Sequence, residues 1–110
     1  MMSEMILSGS TLALLQDPGL GTQDVDSKVR YLLEAEYMRR LGHYHRTNSL
    51  LSEKYGMTFA EFTAQRVAKQ RGYTWEVEKD AMDWEVALDG IEDARQALLE
   101  LKNLRVQQRV

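Results

Sequence analysis

The sequence predicts an all-α fold: a small helical bundle of two long helices around a short one, with a flexible N-terminal arm. Three observations carry this. Apolar residues recur at steps of three and four over two long stretches. Residues that favour strands are few, and the 110-residue chain has one proline. Capping and stop signals bound the first stretch and open the short helix that follows it.

Length favours a single folded domain, placed here at residues 24–110, behind an arm at 1–23. The arm holds two short apolar clusters, Met5-Ile6-Leu7 and Leu12-Ala13-Leu14-Leu15, split by Ser8-Gly9-Ser10. Neither approaches the ~20 apolar residues of a membrane span. No Lys or Arg precedes Lys28, so the basic region of a signal peptide is missing and a cytoplasmic location is expected. Asp17-Pro18-Gly19 breaks the chain after a short helical turn expected near Thr11–Gln16.

The first long helix is expected over Asp24–Tyr55. Asp24, Asp26 and Ser27 offer N-caps. Val29, Leu33, Tyr37, Leu41, Tyr44, Leu51 and Tyr55 form its apolar stripe, with Asn48 filling one gap. Gly42 sits inside it and suggests a close crossing or a bend. Gly56 ends it as a left-handed C′ residue. Thr58-Phe59-Ala60-Glu61 has capping-box spacing and opens a short helix expected to reach Gln70, anchored by Phe59, Phe62 and Val67.

The last helix is expected from Thr74 to Gln107. Val77, Ala81, Trp84, Leu88, Ile91, Ala94, Leu98, Leu101 and Leu104 keep one phase, so the Asp89-Gly90 pair is read as interior to a continuous or kinked helix. Trp75 and Trp84 point to opposite sides of this helix, which puts Trp84 in the core and leaves Trp75 free.

Charge is polarised along the chain. Residues 28–54 carry six Lys or Arg against three Glu, a net of +3, while residues 73–94 carry eight acids against Lys79, a net of −7. Two antiparallel helices that complement each other explain this as well as an acidic surface facing a partner does. The formal net charge of −3 does not draw nucleic acid, and the chain is not expected to bind it by itself.

Catalytic and metal signatures are weak. His43 and His45 diverge by about 200° on a helix and cannot share a metal. Glu76, Asp80 and Asp83 share one helix face, but no second ligand set completes a cation site. With no cysteine there is no disulfide or thiol chemistry. Neither catalytic residues, metal nor cofactor are expected. The one enzymatic alternative is the loose Arg-x5-His spacing of Arg39 and His45, which matches helical ribonucleases of the HEPN type. Here Arg40 stands where that family has a polar residue.

Three segments carry a family resemblance: Tyr31-Leu32-Leu33-Glu34-Ala35-Glu36, Lys54-Tyr55-Gly56-Met57-Thr58-Phe59-Ala60-Glu61-Phe62, and Tyr73 through Asp80 with Asp83-Trp84-Glu85. Over about residues 28–102 the chain resembles small prokaryotic helical proteins of the antitoxin half of toxin–antitoxin pairs. The resemblance implies a non-catalytic protein-binding module that neutralises a small basic toxin. An acidic helix can occupy a basic RNA-binding cleft. Tyr73, Trp75, Glu76, Asp80 and Asp83 are the expected partner-binding residues. A homodimeric helical scaffold, in which the same acids meet the basic first helix, is the rival reading.

Overall fold

A computed structural model describes residues 6–21 and 24–108. The chain is an all-α bundle in which two long helices dominate. Helix α1 spans Gly9–Leu15, α2 Val25–Tyr55, α3 Phe59–Ala64, α4 Val67–Gln70 and α5 Trp75–Gln108, with a 3-10 turn at Pro18–Leu20. It divides into two compact units, Met1–Ala35 and Glu36–Val110, so the division falls inside α2. Among the described residues no helix is long and apolar enough to cross a membrane.

In the first unit, the arm contains a capped helix. Ser8 accepts from the Thr11 amide, and Asp17 accepts from the Gly19 amide at 2.7 Å to start the 3-10 turn. The expected turn near Thr11–Gln16 thus begins at Gly9; the arm's ends, residues 1–5 and 22–23, lie outside the described residues. Asp24 caps α2 by accepting from the Ser27 amide at 2.9 Å. Hydrogen bonds from the Ser27 side chain and then its backbone hold the Asp24 carboxyl below its ordinary value. Arg30 is buried and reaches Asp26 at 3.0 Å.

The second unit carries an aromatic core. α2 ends in a Schellman turn: Gly56 takes φ 66° and the Met57 amide donates to the Ser52 carbonyl. Both halves of the Thr58–Glu61 capping box form and start α3. The expected single helix from Phe59 to Gln70 is broken. Arg66 takes φ 52° between α3 and α4, and Gln70 donates its side-chain N–H to the Gln65 carbonyl that the break frees. The reason lies in the anchors. Phe62 and Val67 are both buried, yet five residues of unbroken helix would set them about 140° apart. One left-handed residue brings both onto the core.

α5 starts after Gly72 and Tyr73, both with positive φ, and Thr74 accepts from the Val77 amide. It then runs unbroken through Asp89-Gly90, as the apolar phase predicts. Trp84 is fully buried at the centre of a cluster with Leu51, Tyr55, Phe62, Val67 and Val77. The Tyr55, Phe59 and Phe62 rings lie 6.0, 5.4 and 5.3 Å from the Trp84 ring. The Trp84 indole N–H donates to the Asn48 side-chain carbonyl at 2.8 Å, so the polar gap in the α2 stripe has a purpose: it satisfies the buried indole.

The close crossing falls at Gly90, not Gly42. A Cβ on Gly90 would meet the Tyr44 ring at 2.4 Å, whereas a Cβ on Gly42 would meet nothing within 4 Å. The α2 stripe is also covered unevenly: Leu51 and Tyr55 are buried, but Val29 and Leu33 remain more than a third exposed. Periodicity marks a face without saying what covers it.

Candidate protein-binding surface on α5

Four of the expected binding residues, Trp75, Glu76, Asp80 and Asp83, lie in the first three turns of α5 and Tyr73 lies just before it; with their neighbours they fall into three groups. The first group faces the C-terminal end of α2. Lys54 reaches Glu76 and Asp80, each at 2.6 Å, and the Tyr55 hydroxyl donates to the same Asp80 oxygen at 2.6 Å. Burial pulls the Asp80 carboxyl upward, but the hydrogen bonds from Lys54 and Tyr55 outweigh it and hold the group below its ordinary value. The bonds to Asp80 and then Glu76 hold the Lys54 ammonium above its ordinary value. Burial, then the bond to Asp80, pushes the Tyr55 phenol up. Asp80 is therefore an internal brace between α2 and α5. Glu76 shares the lysine but keeps its side chain 73% exposed.

The second group faces outward. Trp75 is 71% exposed and Tyr73 58% exposed. Met82 and Val86 are exposed as well, and at seven and eleven residues beyond Trp75 they continue its line along the helix. Asp83 pairs with Lys79 one turn earlier, at 2.6 Å, and the bond raises the Lys79 ammonium. The N-terminal turn also exposes Glu76 and Glu78, whose charges suit a helix start. The structure thus brings Tyr73, Trp75, Glu76 and Asp83 together at the surface and turns Asp80 inward.

The third group borders a groove between α5 and the α3–α4 pair, lined by Tyr73, Met82 and Glu85 from this side. Sequence reading passed over Glu85 and Met82 as site residues. Their signal was positional: Glu85 lies one helical turn beyond Ala81, and Met82 two turns beyond Trp75.

The remaining charges of α2 are mostly served by α2 itself. Arg39 grips Glu36 with two hydrogen bonds of 2.8 Å, and Arg40 adds a third at 3.0 Å. These bonds, Arg39 first, bring the Glu36 carboxyl down to about 2. Lys54 pairs with α5 at the C-terminal end of α2.

The Arg39 guanidinium is committed to Glu36, and among the described residues no hydrogen bond or ion pair joins it to His45. Among the described residues, no cluster of three His, Asp or Glu is placed to hold a metal ion. Compared with protein-family models, with curated proteins and with solved structures, the chain matches none.

Proposed function

We propose that this chain is a non-catalytic protein-binding module and that the outer face of α5 is its contact surface. The observation that carries the reading is Trp75: a large aromatic side chain, 71% exposed, at a helix start beside the exposed Tyr73. Aromatic anchors of this kind dominate the energetics of interfaces, and leaving one in water has no structural benefit. Glu76 and Asp83 rim it with carboxylates, which suits a basic partner and speeds its capture. In its finer form the proposal is an antitoxin role, with a small basic toxin held on this face.

The test is co-expression with the product of the adjacent reading frame, followed by affinity measurements on the purified pair. Trp75→Ala is expected to weaken the complex at least tenfold. Glu76→Lys with Asp83→Lys should weaken it further and reduce its dependence on salt. Asp80 is left in place because it braces the fold. Unchanged affinity in both variants sinks the reading.

A homodimeric scaffold is the second reading, favoured by the line Trp75–Met82–Val86, which suits a second copy as well as a foreign helix. Light scattering on the lone chain separates the two. A dimer that Trp75→Ala splits into monomers supports the scaffold; a monomer removes it.

A further inference from the structure

The third group on α5 borders the feature that the reading above leaves unused. The groove between α3, α4 and the first half of α5 has a volume of about 450 Å³ and is open to solvent along one side. Its floor is apolar, made by the buried Phe62 and Val67 and the half-buried Ala81. Its charged residues are Arg66 and Lys69 on one wall and Glu85 on the other. Among the described residues neither Arg66 nor Lys69 has a side-chain ion pair, although every cationic partner of Glu36, Asp80 and Asp83 is engaged.

Two non-glycine residues have positive φ among the described residues, Arg66 at 52° and Tyr73 at 53°, and both line this groove. Left-handed backbone at such residues costs roughly 1–2 kcal/mol each. The two strained positions both lie on the lining, one bearing a cation and the other an exposed aromatic ring.

We propose that this groove docks a short amphipathic segment of a partner protein, a few apolar side chains flanked by Asp or Glu. The apolar floor takes the hydrophobic face of the segment. Arg66 and Lys69, three residues apart and unpaired, take the flanking carboxylates. Glu85 on the opposite wall repels those carboxylates and so sets the direction in which the segment lies. A small molecule is a poor occupant, because such ligands need a site that closes over most of their surface and this one is open. The proposal does not rest on the basic partner of the outer face: the groove presents Arg66 and Lys69 where the outer face presents carboxylates, and it selects the opposite charge.

The experiment uses the full chain and two fluorescein-labelled synthetic peptides that share one Leu- and Phe-bearing helix face, one flanked by glutamates and one by lysines. Fluorescence anisotropy should show the glutamate peptide binding at least tenfold more tightly, with the difference shrinking at high salt. Arg66→Glu with Lys69→Glu should reverse the preference. Thr63→Trp, at an exposed position on the lining, should fill the groove and abolish binding of both peptides. Trp75→Ala should leave glutamate-peptide binding unchanged while weakening the complex of the outer face, which separates the two proposals. Circular dichroism confirms that each variant keeps its helix content. Equal affinity for the two peptides, no saturable binding of either, persistent binding to Thr63→Trp, or loss on Trp75→Ala would each overturn the proposal.

Discussion

Trp84 and Trp75 stand nine residues apart on one helix, and one is sealed from water while the other is 71% exposed. Around each lies an acid–lysine pair, yet the pairs also differ. Beside the Trp84 flank, Asp80 is held by Lys54 and Tyr55 from another helix. On the Trp75 flank, Asp83 is held by Lys79 of its own helix. The residue types are the same, so composition does not distinguish the two flanks. Phase does: half a turn of difference decides which tryptophan receives three aromatic neighbours and an Asn48 acceptor and which receives solvent. One flank holds the molecule together, and the other is free to be used.

The sharpest break in that comparison is truncation of each tryptophan in turn. Trp84→Ala empties the centre of the aromatic cluster and orphans the Asn48 side chain; unfolding by urea should show a loss of about 3–5 kcal/mol. Trp75→Ala should change stability by less than about 0.5 kcal/mol, as surface replacements do. Similar losses for the two would mean that the Trp75 flank is structural.

A smaller contrast comes from the two glycines of the long helices. Gly90 lies where a methyl group would meet the Tyr44 ring, so Gly90→Ala should destabilise by about 1–3 kcal/mol. Gly42 faces open space, and Gly42→Ala should stabilise by about 1 kcal/mol through helix propensity alone. In a Tyr44→Ala background the Gly90 penalty should vanish, which a double-mutant cycle by thermal or chemical unfolding will show.

These pairs also show what was legible in the sequence and what was not. The helix periods, the Thr58–Glu61 box, the Gly56 stop and the opposite fates of the tryptophans are local properties of spacing, and the residues themselves carry them. The Arg66 break had a local signal too, the five-residue step from Phe62 to Val67, which no unbroken helix accommodates on one face. The glycine contrast had none. Either glycine could mark the crossing, and only the register between α2 and α5 puts Tyr44 over Gly90. The acidic residues were ambiguous for the same reason: a stripe of carboxylates does not say which of its members a lysine twenty-six residues away will reach.

Asp80 gives a small effect, and it is the one with a pH signature. Burial raises its carboxyl, but Lys54 and Tyr55 hold it below the ordinary value in the folded chain. A carboxyl depressed on folding adds stability that is fully present above its unfolded pKa of about 3.9 and is lost as pH falls through the folded value. Asp80→Asn keeps the shape, removes the charge and should cost about 1 kcal/mol at neutral pH, with Lys54 partly exposed and screened. The difference between wild type and variant should therefore be constant from pH 7 to about 5 and shrink below about 4. The corresponding Asp83→Asn, paired with Lys79 at the surface, should show little difference at either pH. If Asp83→Asn instead showed the larger acid-dependent loss, the assignment of the bracing flank and the free flank would have to be exchanged.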